Sequence, residues 1–333
     1  MFNDQQKKVL VTGGAGYVGS HACKAIAKAG YLPISCDNLV NGNSWSVKWG
    51  PLEKGDILNK SWVDSIIKAH KPVAIFHFAA HASVAESLIN PFKYYKNNFI
   101  GTLNLLESMK SNNINHLIFS STCAIYGTQN ALPISEDAPK LPINPYGASK
   151  LMVERMMDDY STAHGISSIS LRYFNAAGAD LDAEIGEIHN PETHLIPIAI
   201  RAAQKGLTLP VYGNNYDTHD GTAIRDYIHV SDLADAHVLA LKYLQTGGIY
   251  NKINLGTGKG YSVREVISET EKISGRKILV KEESKRAGDP ACLVADSSIA
   301  KKELEWQPKH SDLSTIITTA WNWHKYCNKI YNV

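Results

Sequence analysis

Tyr146 and Lys150 stand four residues apart in the run NPYGASKLMVERMM, residues 144–157. Asn144 and Pro145 are helix-start signals, and Leu151, Met152, Val153, Met156 and Met157 continue an apolar pattern behind them. At 3.6 residues per turn the phenol and the ammonium share one helix face. Such a pair is either a solvated surface face or a tyrosine held as a base by a neighbouring positive charge. Spacing alone does not decide, because 16 tyrosines in 333 residues give roughly one Tyr-x-x-x-Lys pair by chance. A free phenol has a pKa near 10, so half-ionisation at pH 7 costs about 4 kcal/mol. One ammonium about 4 Å away, at an effective dielectric of about 20, offers a gross interaction of that order.

A second chemical signal lies at the start of the chain. The strand-like run KKVLVTG leads into TGGAGYVGSH, where Gly13, Gly16 and Gly19 form G-x-x-G-x-x-G. Residues without a Cβ let backbone N–H groups approach a pyrophosphate, and the helix N-terminus that follows adds partial positive charge. Asp37 closes the next strand-like run, YLPISCD. A carboxylate there accepts hydrogen bonds from ribose hydroxyls and repels a 2′-phosphate, and no arginine stands beside it. The expected cofactor is NAD rather than NADP.

Those residues need a scaffold, and the first half of the chain supplies one. KKVLVTG, YLPISCD, VAIFHFAA, HLIFSST and SSISLRYF read as strands, separated by helical patterns such as Tyr17 to Ala29 and the Tyr95, Phe99, Leu103, Leu106, Met109 series. Continuous apolar strands alternating with helices predict an α/β fold, a doubly wound parallel sheet of the Rossmann type with ligands at the strand carboxyl ends. From about Asn175 the pattern becomes less regular and predicts a smaller α/β substrate domain. Ser231 to Leu244 and IYNKINLG read as a helix and a strand that return to the first domain. The expected division is 1–174 with 226–256, against 175–225 with 257–333.

Composition narrows the function classes. Hydrophobic content of 44% and charged content of 20% are ordinary for a globular chain. A net charge of +2 without a long basic block argues against nucleic acid or an anionic membrane as partner. No apolar run approaches the roughly 20 residues needed to span a bilayer. The polar opening MFNDQQ argues against an ordinary signal peptide. Cys23, Cys36, Cys123, Cys292 and Cys327 are scattered without a CxxC pair, which predicts reduced thiols in a cytoplasm. The thirteen histidines show no HExxH or comparable ligand cluster, and His77 and His81 read as packing residues. No metal is expected.

TGGAGYVG, Tyr146-x-x-x-Lys150 and the hydroxyl of Thr122 together resemble the extended short-chain dehydrogenase/reductases. Within that superfamily the chain resembles the UDP-glucose 4-epimerase (UDP-galactose 4-epimerase) family. The runs CDNLVNGN, GDIL, HFAA, YYKNN, FSSTCAIYG, PYGASK, LRYFNAAGA, GTAIRDYIHVSDLADAH, NLGTG and RAGDP carry the likeness, spread from residue 11 to about 296. The resemblance implies an isomerase that interconverts UDP-glucose and UDP-galactose at carbon 4 through a 4-keto intermediate and transient NADH. It implies that Tyr146, Lys150 and Thr122 are catalytic. It places Gly13, Gly16, Tyr17, Val18, Gly19, Asp37, Asn38, Asn41, Asp56, Ile57, Phe78, Ala79, Asn97, Lys150 and Tyr173 around NAD. Thr122, Tyr146, Asn175, Leu195, Tyr212, Arg225, Arg286, Asp289 and Leu293 are implied around the UDP-sugar. Arg225 and Arg286 suit a diphosphate chemically, since a guanidinium offers a fork of donors, although salt bridges to Asp226 and Asp289 fit the sequence equally.

Ala82 stands where many members of the family carry a lysine, and His194 where many carry an asparagine. Leu293 falls where the family sets a residue against the sugar 2-substituent, which predicts poor acceptance of N-acetylated sugars. A related dehydratase would need an Asp-Glu pair after the threonine, whereas Cys123 and Ala124 follow Thr122. The alternative on the same chemistry is another UDP-sugar 4-epimerase, acting on UDP-N-acetylglucosamine or a UDP-pentose. A homodimer is implied through the helix near 93–111 and the one from Tyr146 to His164.

Overall fold

A computed structural model of the chain describes residues 6–129, 131–249, 251–286 and 289–330, with side chains described as far as Cys327. Tyr250 of the expected strand IYNKINLG, and Ala287 and Gly288 of RAGDP, lie outside the described residues. The strands of the first half are β1 Lys8–Thr12, β2 Leu32–Asp37, β3 Leu52–Lys54, β4 Ala74–His77, β5 His116–Thr122, β6 Ser167–Tyr173 and β7 Asn175–Ala177. Those of the second are β8 Thr208–Tyr212, β9 Ile224–His229, β10 Lys252–Leu255, β11 Gly260–Ser262, β12 Leu279–Glu283 and β13 Cys292–Leu293.

Among the described residues, one seven-stranded sheet runs β3-β2-β1-β4-β5-β6-β10, and every neighbouring pair in it is parallel. Apolar strands demand cover on both faces. In β1, Val9 and Val11 enter one core with Ile118, Ile169, and Leu233 and Leu241 of the helix Val230–Gln245. Leu10 points the other way, into a core with Ile34, Phe119, Leu105 of the helix Gly101–Ser111, and Val153 of the helix Pro145–His164. The period-2 alternation of one strand thus feeds two cores.

The second half builds a smaller sheet, β11-β9-β13 with β7 paired to β9, and a two-stranded ribbon β12-β8. Ile196 and Ile200 of the helix Leu195–Lys205 pack there with Val266, Ile316 and Ile317. The return to the first sheet differs from the expected boundary. Asp226–His229 lie in β9 of the small sheet, and the return begins with Val230. Later still, Ala300, Leu304 and Trp306 join the first core.

Two local differences have physical causes. β3 escaped the sequence reading because three residues carry no alternation. The expected helix near 93–111 is three pieces: Pro91–Tyr94, a π-helical stretch Tyr95–Ile100, and Gly101–Ser111. The wide turn aims Asn98 inward, where its side chain accepts from His81 N at 2.9 Å and donates to His81 O at 3.0 Å. Among the described residues no helix is long and apolar enough to cross a membrane.

Candidate active site

The order of the large sheet reverses between β1 and β4, which opens a crevice at their carboxyl ends. Gly13 lines it with φ +73°, and a Cβ there would lie 2.7 Å from Ala79 N. A Cβ on Gly19 would lie 2.1 Å from Gly13 O. Both positions therefore require glycine. Gly16 caps the helix Tyr17–Lys28 without a side-chain hydrogen bond, so the amides of its first turn, including Val18 and Gly19, have no capping side chain. A shaped cradle with an uncapped helix end fits the pyrophosphate of NAD.

The remaining expected cofactor residues also collect at strand carboxyl ends. Asp37 ends β2, its carboxylate held by Ala15 N at 3.0 Å and Leu39 N at 2.8 Å. Asn38 follows it and donates to Asp56 at 3.0 Å, and Asp56 in turn accepts from Leu58 N at 2.8 Å. Ile57 is buried beside them, and Asn41 is exposed on the loop after β2. Phe78 and Ala79 continue β4, Asn97 sits on the π-helical stretch, and Tyr173 ends β6 with its hydroxyl bonded to Ser120. Tyr17 donates to Gly178 O at 2.6 Å, tying the first helix to the second half of the chain.

Thr122 closes β5 and Tyr146 opens the facing helix. Asn144 caps that helix by accepting from Gly147 N at 2.8 Å, and Pro145 occupies its first position. A Cβ on Gly147 would lie 2.5 Å from Ala124 O, so glycine is what lets the helix end approach the turn after Thr122. The approach sets the Thr122 hydroxyl beside the Tyr146 phenol. Lys150, one turn on, is buried and donates to Ser120 O at 2.7 Å with its ammonium over the Phe119 ring. Burial pushes Tyr146 up to about 12, with the Thr122 hydroxyl opposing, and pushes Lys150 down to about 7, with Glu154 opposing. The chain's own groups therefore do not acidify Tyr146, contrary to the simplest electrostatic expectation. The same desolvation that raises the phenol also weakens the hold of Lys150 on its charge.

The other wall of the crevice comes from the second half. Arg225 is ion-paired to Asp289, and Arg286 lies 3.9 Å above the Tyr212 ring. Asp226 faces away from Arg225 and accepts the amides of Thr257 at 2.9 Å, Gly258 at 3.1 Å and Ala295 at 3.2 Å. Of the two salt-bridge partners open to Arg225 from sequence, the fold selects Asp289. Asn175 Oδ1 is buried with no hydrogen-bond partner, and Leu195 begins the helix beside that wall. Leu293 lies opposite Arg225 in the β13–β9 pairing and leans on the cluster of Cys123, Ile125 and Phe174, next to Thr122.

Several supporting residues escaped the sequence reading. Arg172 and Glu154 form a buried ion pair at 2.6 Å, and Glu154 also accepts from Ser121, which steadies the end of β5. His77 sits between Thr12 at 2.6 Å and Thr102 at 2.8 Å, a packed and hydrogen-bonded residue as expected. A charged residue inside an apolar strand, as in SLRYF, was the available signal for Arg172. Among the described residues, Glu187, His189, Glu192 and His194 bring their ligand atoms within 4.8 Å of one another, a grouping the sequence did not reveal. Their spacing resembles no familiar ligand motif, and only the folded loop assembles them.

Comparison with known proteins agrees with this geometry. Residues 9–256 match the model of the NAD dependent epimerase/dehydratase family. The UDP-glucose 4-epimerase of Rhizobium meliloti (strain 1021) is 48% identical over 98% of this chain and 99% of its own. The crystal structure of UDP-glucose 4-epimerase from Brucella ovis in complex with NAD superposes with a TM-score of 0.93 at 48% identity, covering 95% of this chain and 98% of that one. The Bifidobacterium longum enzyme in complex with NAD+ and UDP gives 0.91 at 37% identity over 96% and 98%. With a crevice that takes a dinucleotide, a tyrosine and lysine at its end, and agreement along nearly its whole length, the chain belongs to the NAD dependent epimerase/dehydratase family.

Proposed function

We propose that the protein interconverts UDP-glucose and UDP-galactose by inverting carbon 4, with NAD as its resident cofactor. One observation supports this most directly: Tyr146 opens the helix facing Thr122 with Lys150 buried one turn on, and Leu293, paired with Arg225, packs on Cys123 beside Thr122. NAD, when bound, supplies a positively charged hydride acceptor that returns the hydride to the sugar. Tyr146 takes the proton of the sugar 4-hydroxyl, directly or through Thr122, and gives it back after the sugar has turned over. Lys150, one helical turn on, is held in place by Ser120 O. Arg225 and Arg286 hold the diphosphate, so that the hexose rotates while the nucleotide stays anchored. The orphaned Asn175 oxygen offers an acceptor on the same wall.

The large sheet with the helix Val230–Gln245 and β10 is the NAD-binding body in this scheme, and the small sheet with its helices is the UDP-sugar body. The enzyme works as a homodimer, supported by Phe92, Ile100 and Met152, which are exposed apolar residues on the neighbouring helical segments. Five free cysteines suit a reducing cytoplasm.

The test is a coupled assay of UDP-galactose conversion without added cofactor. Turnover is expected from the purified protein. No turnover, even with NAD supplied, overturns the assignment.

A further inference from the structure

Two clusters of ionisable side chains stand outside the site just described. Asp180, Asp182 and Glu184 already hold a cation, the Lys24 ammonium, at 2.8, 3.2 and 2.7 Å. Glu187, His189, Glu192 and His194 are different in kind. Their carboxylates are nearly fully buried, with side-chain exposures of 6% for Glu187 and 2% for Glu192. Two imidazole nitrogens face them. His189 Nδ1 lies 3.1 Å from Glu187 and 3.8 Å from Glu192, and His194 Nδ1 lies 2.7 Å and 3.2 Å from the same two.

Zinc bound at about 2.0–2.2 Å sets its ligand atoms roughly 3.3 Å apart, and these nitrogen–oxygen separations, taken to Glu187 Oε1 and to one or the other Glu192 oxygen, fall on both sides of that. An imidazolium–carboxylate pair accounts for His194 but not for His189. His189 Nδ1 is shielded from solvent and has no hydrogen-bond partner, although a carboxylate oxygen is 3.1 Å away. A ring nitrogen that close, but not directed along an N–H···O line, is placed as a ligand sharing a centre. The shell around the four residues is also ordered. Trp323 Nε1 donates to Glu187 O at 3.2 Å, and Glu192 accepts the amides of Thr193 at 2.8 Å and His194 at 2.9 Å. Tyr17 and His324 also stand close to the two carboxylates, with Arg201 beside His324.

We propose that Glu187, His189, Glu192 and His194 form a structural site for one divalent transition metal, zinc by its ligand chemistry. Two nitrogens and two carboxylate oxygens complete a four-coordinate shell, which suits a structural rather than a catalytic ion. Two carboxylates with two neutral imidazoles carry a charge of −2, which the ion cancels. The metal clamps residues 187–194 against the start of the helix Leu195–Lys205, so the His194 departure from the family pattern becomes a ligand rather than a neutral replacement.

The test uses the whole protein, freed of metal by a chelator and checked as folded by circular dichroism. Titration with Co2+ is expected to give one ion per chain, with the visible absorption of a tetrahedral nitrogen–oxygen site and no thiolate charge-transfer band. Zn2+ should displace it. His194→Asn and Glu192→Gln should each weaken binding at least 10-fold, and metal should raise the melting temperature of the parent protein only. No tetrahedral Co2+ spectrum in the parent protein, or equal binding by folded variants, overturns the proposal. In that case protonated imidazoles alone hold the two carboxylates. The Co2+ spectrum decides the matter even if a variant fails to fold.

Discussion

The two walls of the crevice are built on different principles. On the glycine-crevice wall, Asp37 is tied to two amides, Lys150 to Ser120 O and His77 to two threonines. On the wall proposed for the nucleotide sugar the polar groups are paired with one another or stacked. Arg225 meets Asp289, Arg286 lies on the half-exposed Tyr212, and Asn175 keeps an oxygen unpaired. The first wall is set before substrate arrives, as transition-state stabilisation by fixed groups requires. The second, in the proposed role, exchanges these partners for a diphosphate while the sugar turns over. Fixed chemistry and exchangeable anchoring are separated in space.

Removing the proton carrier should give the largest effect. Tyr146→Phe keeps the ring and its packing and deletes only the oxygen, so turnover should fall about 10²–10⁴-fold. NAD content and UDP-sugar affinity should stay near those of the parent. A loss of cofactor equal to the loss of turnover would show that the two walls are not separable. The measurement is kcat beside bound NAD per chain.

Acid should distinguish the walls next. His21, His229 and His237 are buried and held neutral, pushed down to about 4, and His77 to about 3. Burial is the main cause in each. Their folded pKa values lie below the unfolded value near 6.5, so the native state binds fewer protons. Their contribution to stability is complete above pH 6.5 and is lost as pH falls from there towards 4. Each group at about 4 withdraws up to about 3 kcal/mol over that window. Asp37 and Asp226, whose burial raises their pKa, act in the opposite direction within the carboxylate range. Urea midpoints measured from pH 7 to 4.5 should fall steadily. A flat profile would mean that these histidines gain protons without unfolding either sheet.

The same division explains what the sequence revealed. The strand ends, the glycine turn and the Tyr-Lys helix are local in the chain, so periodicity and turn chemistry located Gly13, Gly19, Asp37, Tyr146 and Lys150. The need for glycine at 147 was not legible, because the Ala124 carbonyl that requires it comes from another element. Nor was the choice of Asp289 over Asp226 for Arg225, since Asp226 is its neighbour in sequence while Asp289 lies 64 residues on, and only the alternation of β9 turns Asp226 away. The Glu187–His194 cluster was hidden for the same reason. Its ligands come from a loop whose path depends on a tryptophan more than a hundred residues on, Trp323. The return was drawn four residues early, at Asp226, because β9 runs without a break into the helix Val230–Gln245 that makes it.

Leu293 sits between the walls, which makes it a sharper probe. Its side chain packs beside Cys123 and Ile125 while its strand lies next to Arg225. If it also bounds the sugar 2-substituent, Leu293→Ser should improve kcat/KM for UDP-N-acetylhexosamines relative to UDP-hexoses by roughly 10–200-fold. It should also lower stability modestly through lost packing. A change in stability without a change in the ratio would assign Leu293 to the core alone.

The smallest effect tests whether the second wall relies on stacking. Arg286 lies 3.9 Å from the Tyr212 ring centre, and Tyr212 is 37% exposed. A cation above an exposed aromatic face contributes about 0.5–1 kcal/mol, or roughly 2–5-fold in affinity. Tyr212→Leu removes the ring and frees Arg286 to sample other rotamers, so KM for UDP-sugar should rise by roughly that 2–5-fold with kcat unchanged. Tyr212→Phe keeps the face and loses only the hydroxyl, so it should behave as the parent does. Equal losses in both variants would assign the effect to a hydroxyl contact instead of the stack. A fall in kcat in either would break the comparison, because it would mean that anchoring and proton transfer share Tyr212. Arg286 is positioned by a face and Arg225 by a carboxylate, so their responses to salt should also differ. Ionic strength screens the Arg225–Asp289 pair, whereas the flat contact of Arg286 with its ring is less sensitive, and KM measured across salt in Tyr212→Leu separates the two.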